Sequence, residues 1–329
     1  MSAAQIDVVG IGNAIVDVLS HAEDHALAAL GLAKGAMTLI DAADADRLYD
    51  KVGSAVEASG GSAANTIAGL ASLGGRGAYV GKVRDDVLGR IFAHDLKALG
   101  VHFETAPASD GPGTARCLVL VSPDAQRTMA TYLGACVSLG PDDVDANLIA
   151  AAKATYLEGY LWDPPLAKEA FRKAIGAARG AGRKVALSLS DAFCVDRYRD
   201  EFLGLIDGQV DVLFANETEL ISLFQARDFD DALQQARGRV PMAALTRSAH
   251  GSVVLAGNEV HVIDAAPVAR VVDTTGAGDL YAAGFLFGLT RDLPPATCGR
   301  LGSVAAAEII SHIGARPEVA LSTLVAHLL

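Results

Sequence analysis

Short β-rich runs alternate with amphipathic helical stretches along most of this chain, and that alternation narrows the fold more than any other feature. "IDVVGIG" (6–12), "TYLEGY" (155–160), "KVALSLS" (184–190) and "DVLFAN" (211–216) read as strands. Helical patterns such as "LAKEAFRKAIGAARG" (166–180) lie between them. "DDVLGRIFAHDLKALG" carries Leu88, Phe92, Leu96 and Leu99 at spacings of four, four and three, one apolar helix face closed by Gly100. Strand–helix alternation predicts a three-layer α/β fold, a doubly wound and mostly parallel sheet with helices on both faces. Such crossovers bring strand ends, and therefore ligand loops, to one edge of the sheet.

Two stretches break the pattern. Residues 13–41 hold "AIVDVLSHA" and "GAMTLID", and residues 101–133 hold "VHFETA", "TARCLVLVS" and "RTMATYL" with a turn at "SPDAQ". They read as antiparallel strands without helices between them. The expected organisation is a large α/β domain of residues 1–12, 42–100 and 134–329, with a small β-sheet lid made by 13–41 and 101–133. A lid of this kind closes over a substrate and excludes water. "GSVVLAGNEVHVIDA" is a further hairpin turning at Gly257-Asn258.

Composition limits the partners. Hydrophobic residues are 51% of 329, enough for a large core, and the net charge is −12. That balance argues against a nucleic-acid or anionic-membrane surface, which needs clustered Lys and Arg. The four cysteines are scattered and read as reduced thiols. The N-terminus lacks a basic start and meets Asp7 early, so no signal peptide is expected. No apolar run approaches the roughly 18 residues of a membrane helix. The expectation is a cytoplasmic monomer or homodimer acting on small molecules.

Four segments could carry chemistry. "DTTGAGDLYAAGF" (273–285) is a glycine turn opening a helix, with Asp279 where an anion would sit. It is not a P-loop, because no Lys follows the glycines. A plain tight turn would account for the glycines. An Asp beside free N–H groups also suits phosphoryl transfer, with the acid facing an attacking hydroxyl and the amides facing the γ-phosphate. "ASGGSAANTIAGLASLGG" places Gly60-Gly61 before a helix, and a buried Asn65 inside it needs a partner. In "VGIGNAIVDVLS", Gly10-x-Gly12 invites a dinucleotide reading, but the sixth position is Ile15 and no helix pattern follows. Asn13 and Asp17 share strand parity and could hold vicinal hydroxyls on a ribose or sugar ring. In "LFANETEL", Glu217 and Glu219 begin a helix after Asn216. That is ordinary capping, or a set of oxygen acceptors for the waters of Mg²⁺.

"SGGSAANTIAGLASLGGRGAYVGKVRDDVLG" and "DTTGAGDLYAAGF" resemble the two signatures of the PfkB family, the ribokinase-like carbohydrate and nucleoside kinases, and "ANETE" resembles its N-x-x-E motif. The resemblance spans nearly the whole chain in order. It implies a ribokinase-like fold with a β-sheet lid and transfer of the ATP γ-phosphoryl group to a hydroxymethyl group. It assigns Asp279 as catalytic base and the amides of Gly276, Ala277 and Gly278 as the anion hole. Asn216 and Glu219 then take the Mg²⁺–phosphate role, with Glu219 acting through water. Asn13, Asp17, Gly60, Gly61 and Asn65 bind the acceptor. "TRSAHG", with Thr246, Arg247 and Gly251, stands at the nucleotide loop, where Ser248 replaces the usual Gly. Asp273, Thr275 and the backbone near Gly314 fall where many members hold K⁺, and whether this chain does so is left open. Ser188, Ser190 and Phe193 and the segment "YLEGYLW" lean toward the adenosine-kinase branch. Tyr160 would stack on the purine there, unless it is a core Tyr. Arg127 of "QRTMATYLGA" could touch phosphate or cover the site, unless it is solvated. The expected acceptor is the 5′-hydroxyl of adenosine or a related ribonucleoside. A sugar such as ribose or fructose is the alternative, and a non-catalytic nucleoside-binding protein a further one.

Overall fold

A computed structural model describes residues 6–124 and 126–329. Its strands are β1 (Ile6–Ile11), β2 (Ile15–His21), β3 (Met37–Leu39), β4 (Ala55–Gly60), β5 (Gly77–Val80), β6 (Ala115–Val121), β7 (Arg127–Tyr132), β8 (Ala152–Glu158), β9 (Lys184–Ser188), β10 (Val212–Asn216), β11 (Met242–Thr246), β12 (Ser252–Ala256) and β13 (Glu259–Ile263). Its helices are α1 (Asp24–Leu30), α2 (Ala42–Tyr49), α3 (Ser62–Ser72), α4 (Val87–Ala98), α5 (Ala146–Ala151), α6 (Pro165–Gly180), α7 (Ala192–Ile206), α8 (Glu217–Phe224), α9 (Phe229–Ala236), α10 (Ala277–Leu289), α11 (Pro295–Ile309) and α12 (Leu321–Val325).

The large sheet has eight strands in the order β13-β12-β11-β10-β9-β8-β1-β5. Strands β5 through β11 of that order pair in parallel, and β12 and β13 add an antiparallel hairpin at one edge. Both faces are covered, which is why the strands read as continuous apolar runs. Val9, Ile11, Leu157, Leu187 and Leu213 pack with Phe171 and Phe202 on one face. Their neighbours Val8, Tyr156, Ala186 and Phe214 pack with Ile67, Phe92 and Phe285 on the other. The doubly wound, mostly parallel α/β architecture expected from the sequence is therefore present. In α4, Phe92 and Leu96 are buried as expected, but Leu99 is 47% exposed because the helix ends at Ala98 and the chain turns outward.

The small sheet has five strands in the order β3-β7-β6-β2-β4. It differs from the sequence reading in three ways. Strand β4, placed in the large domain by its position within 42–100, pairs antiparallel with β2 from Ile15↔Gly60 to Ser20↔Ala55. Helices α1 and α2 accompany the strands, and the β2–β6 and β3–β7 pairs are parallel. "VHFETA" makes no strand and meets the large sheet's edge through the isolated bridge Ala78↔His102. The turn "SPDAQ" contains Ala125, which lies outside the described residues. Leu27, Leu32 and Leu48 of the α1–α2 region pack on Leu118, Leu120 and Ala130, covering one face of this sheet. The opposite face carries Asp17, Leu19, Cys117, Val119, Val121, Arg127 and Met129, which share strand parity through the pairs Asp17↔Cys117, Leu19↔Val119 and Val121↔Arg127.

Candidate active site

In the large sheet β1 lies between β8 and β5, so the chain's path reverses direction beside β1. Crevices outside the carboxyl ends of strands open at such points. Asn13 follows the end of β1 and Glu158 ends β8. Glu158 Oε1 accepts hydrogen bonds from the Asn13 backbone N–H (3.2 Å) and from Asn13 Nδ2 (2.8 Å). Its Oε2 accepts from the backbone N–H of Ala63 in the first turn of α3 (2.8 Å). Asn13 thus precedes β2 rather than lying in it, and its amide is oriented by a buried acid. Burial pushes the Glu158 carboxyl up to about 7, against the pull of those three donors.

Helices α3 and α10 point their N-termini at the same place. Asp279, in the first turn of α10, does not cap its own helix. Its Oδ1 accepts from Ser62 Oγ (2.6 Å) and its Oδ2 from Asn65 Nδ2 (2.9 Å). Ser62 and Asn65 are three residues apart and so share one face of α3. Two helix dipoles converge on one carboxylate, which favours its charge. Burial works the other way and raises the Asp279 carboxyl above its ordinary range. Asn65 Oδ1 is buried without a hydrogen-bond partner among the described residues.

The turn before α10 needs glycine. Gly276 has φ of 72°, a left-handed conformation that L side chains rarely adopt. The backbone N–H groups of Gly276 and Gly278 donate to no protein acceptor among the described residues, and that of Ala277 makes a 3.3 Å turn contact with Thr274 O. Gly61, with φ of 92°, opens α3, where a Cβ would lie 2.2 Å from Asn13 O. A Cβ on Gly60 would lie 2.2 Å from Asp17 Oδ2. The paired glycines therefore make room for Asn13 and Asp17.

Asp17 is half-buried in β2, and its carboxylate accepts no protein hydrogen bond among the described residues. Burial lifts it to about 7, partly offset by the Arg316 guanidinium. Arg316 is a member of the site that sequence reasoning missed. Its Nε donates to Ser59 O (3.0 Å), one terminal nitrogen to Ala64 O (2.8 Å) and the other to Ser59 Oγ (3.0 Å). Its charge reaches Asp17 first and Asp279 next, and desolvation lowers its own pKa to about 10. A cavity of about 440 Å³ opens between the small sheet and residues 313–318, lined by Asp17, Leu19, Val56, Val121, Gly314 and Arg316 among others.

The remaining expected residues fall around this core. Asn216 and Glu219 form a reciprocal capping box on α8, with Asn216 Oδ1 accepting from the Glu219 N–H and Glu219 Oε2 from the Asn216 N–H, both at 2.9 Å. Glu219 is buried and pushed up to about 7 by desolvation, with Asp191 adding to the rise and no basic side chain opposing it. An all-oxygen set lacking a counter-ion fits a hydrated Mg²⁺. Inner-sphere ligation would break the capping box, so contact through water suits it better. Thr246 ends β11, and Gly251 has φ of 75°. Ser248 takes φ of 51°, so the loop keeps a left-handed residue at this position without glycine. Arg247 stacks on the Phe229 ring at 4.2 Å and donates to Glu217 at 3.4 Å. Tyr160 is 37% exposed, so it is not a core tyrosine, and its backbone N–H donates to Ser190 Oγ (3.3 Å). Asp273 Oδ1 accepts from the Thr275 N–H and Oγ, and Oδ2 from the Gly314 N–H, so those three residues do meet. Arg127 is not solvated: its Nε lies 2.7 Å from Asp273 Oδ1, in a pair largely shielded from solvent.

Comparison with known proteins gives a consistent result. The family model described as "pfkB family carbohydrate kinase" matches residues 24–320. An adenosine kinase from Sinorhizobium meliloti is 53% identical, with a TM-score of 0.94 over 99% of this chain and 100% of that one. A probable sugar kinase protein from Rhizobium etli is 50% identical, also with a TM-score of 0.94, over 99% and 100% of the two chains. An adenosine kinase from Saccharomyces cerevisiae is 27% identical over 93% of this chain and 95% of its own. Among the described residues no helix is long and apolar enough to cross a membrane. With a family match over most of its length and a half-identical relative of the same fold, the chain belongs to the pfkB family of carbohydrate kinases, phosphotransferases that act on a hydroxyl group.

Proposed function

We propose that this kinase phosphorylates the 5′-hydroxyl of a ribonucleoside, with adenosine or a close relative as the acceptor. The observation that carries the reading is the cleft-side face of the small sheet. Asp17, which has no protein hydrogen-bond donor among the described residues, sits there among Ile15, Leu19, Cys117, Val119, Val121 and Met129. Val56 on the same face is 67% exposed, and Met37 and Leu39 are 44% and 49% exposed. An acceptor with hydroxyls at one end and a flat apolar ring at the other matches both halves of this surface. A free sugar would leave the apolar half uncovered. The 53% identical adenosine kinase agrees with this choice.

In this reading Asp17, Asn65 Oδ1 and the amide of Asn13 hold the ribose hydroxyls, and Glu158 fixes which way the Asn13 amide faces. Asp279 takes the proton of the 5′-hydroxyl as its oxygen attacks the γ-phosphorus of ATP. The bond from that phosphorus to the bridging oxygen breaks, and ADP leaves with the electron pair. The N–H groups around Gly276–Gly278 donate to the phosphoryl oxygens as charge moves onto them. Asn216 and Glu219 would hold Mg²⁺ through its waters, and the ion supplies charge neutralisation for the phosphates. Thr246, Arg247 and Gly251 form the nucleotide loop. Tyr160 offers a ring for the base, whose stacking contributes about 1–3 kcal/mol. The small sheet (β2, β3, β4, β6 and β7) with α1 and α2 acts as a lid over the acceptor, and the large sheet with its helices carries the nucleotide.

An acceptor panel with ADP formation as readout tests the proposal. Adenosine or another ribonucleoside is expected to turn over robustly, with free ribose and fructose near background. The reverse pattern would make it a sugar kinase, and binding of nucleoside without transfer to any acceptor would remove the catalytic reading. Asp17→Ala should raise the acceptor KM by roughly 10- to 100-fold, the equivalent of about 1.5–3 kcal/mol for a hydrogen bond to a charged group. The ATP KM should stay unchanged; an effect confined to ATP would put Asp17 on the wrong ligand.

A further inference from the structure

Asp273 lies in the region where many members of this family hold K⁺, and here its surroundings do not suit such an ion. Oδ1 already accepts from the Thr275 N–H (2.9 Å) and the Thr275 hydroxyl (2.6 Å), and it is ion-paired with the Arg127 guanidinium, whose Nε lies 2.7 Å away. Oδ2 receives the Gly314 N–H (3.0 Å). The Arg127 and Asp273 side chains are 16% and 4% exposed, so the pair is shielded from solvent. A K⁺ ion placed beside this carboxylate would face a guanidinium already neutralising it, in surroundings that screen poorly.

We infer that Arg127 is the cation of this site: a tethered guanidinium, brought in by the small sheet, that does at Asp273 what a bound monovalent ion would do. Two tasks fall to such an ion. One is neutralising Asp273, which Arg127 does directly. The other is holding together the segments that shape the turn before α10. Asp273 does that itself by accepting from Thr275 on one side and Gly314 on the other, once its charge is balanced. Gly276 lies one residue beyond Thr275, and a Cβ there would come within 3.2 Å of Ala315, so the two segments are packed at this turn. Arg127 belongs to β7, in register with Val121 of β6. The charge that balances Asp273 therefore arrives with the small sheet, and the amide-bearing turn depends on that sheet being seated rather than on the ionic composition of the solvent. The same guanidinium also draws down the carboxyls of Asp17 and Asp279. Arg127 is a positioning residue in this account.

The test compares wild type with Arg127→Ala and Arg127→Lys in K⁺ from zero to about 100 mM, with choline replacing K⁺ at constant chloride. Two readouts are taken: the Tm of the protein without acceptor, and ADP formation with whichever acceptor the panel supports. Wild type and Arg127→Lys should be flat in both. Arg127→Ala should lose tenfold or more in turnover without K⁺, recover several-fold of that with K⁺ but not with choline, and gain several degrees in Tm. An Arg127→Ala/Asp273→Asn double variant should lose the K⁺ response. A several-fold K⁺ activation of wild type would overturn the inference, and so would an Arg127→Ala variant whose Tm and rate both ignore K⁺. The Tm readout needs no acceptor, so failure of the nucleoside assignment would leave it intact.

Discussion

Asp279→Asn should lower kcat by about 10²-fold or more, the usual contribution of a general base, while the acceptor still binds. Asparagine is the informative replacement because of what faces this carboxylate. Ser62 Oγ and Asn65 Nδ2 both donate to it. Alanine would strand both donors in a buried setting, and the resulting loss would mix folding with chemistry. An asparagine oxygen can still accept from Ser62. Its amide nitrogen would meet Asn65, whose Oδ1 has no partner among the described residues and can accept after a flip of that amide, leaving Asn65 Nδ2 to donate to the ribose hydroxyl in its place. The variant should therefore fold with a near-wild-type Tm and bind the acceptor by calorimetry. Its residual kcat at saturating acceptor should also lose the acid limb that Asp279 sets. In wild type that limb should lie above the ordinary carboxylate range, because burial raises Asp279 and the base must be ionised to act. A variant rate close to wild type would remove Asp279 as the base.

The local parts of this site were legible in the sequence because each is a contiguous motif. The glycine turn and first helical turn at 273–279, the glycine pair before α3 and the capping box at 216–219 each keep their meaning within a few residues. The parallel sheet was legible from alternating patterns, since neighbouring residues in β1, β8, β9 and β10 feed opposite cores. What stayed hidden depends on contacts distant in the chain. Glu158 meets Asn13 at a separation of 145 residues and Ala63 at 95. A carboxylate closing the apolar run "ATYLE" was the available signal, since an acid buried at a strand end needs donors. Ser62 could be found as a helix start, but not as a donor to a residue 217 positions away. Strand β4 was hidden by its pattern: "AVEASG" has an exposed half and a buried half rather than strict alternation. The pairing of Arg127 with Asp273 joins the two sheets' territories, and no local pattern encodes it.

Arg316 should prove the second most sensitive position, and its effect should appear in pH dependence as well as in rate. Like Arg127, it is a cation whose charge reaches both Asp17 and Asp279, and its three hydrogen bonds to Ser59 and Ala64 tie the loop after α11 to the end of β4 and the start of α3. Burial alone would push both acids toward their neutral forms, and Arg316 opposes that. Replacing it with Met keeps length and apolar stem but removes the charge. Both carboxyls should then rise further, because a close opposite charge that favours their ionised forms is gone. The sign follows directly. An acid that must be ionised works above its pKa, so a raised pKa moves the acid limb of kcat/KM to higher pH and depresses activity at pH 7. Since Asp17 already stands at about 7 and is only about half ionised at neutral pH, a rise of one unit would lower its ionised fraction there roughly fivefold. Arg316→Lys separates charge from geometry. A lysine keeps the positive charge but cannot span Ser59 O, Ala64 O and Ser59 Oγ together. It should hold the acid limb near its wild-type position while the acceptor KM rises. If Arg316→Met and wild type shared the same acid limb, Arg316 would be a loop anchor and nothing more. A profile displaced for Met but not for Lys would make the guanidinium the charge that lets two acids work side by side in one cleft.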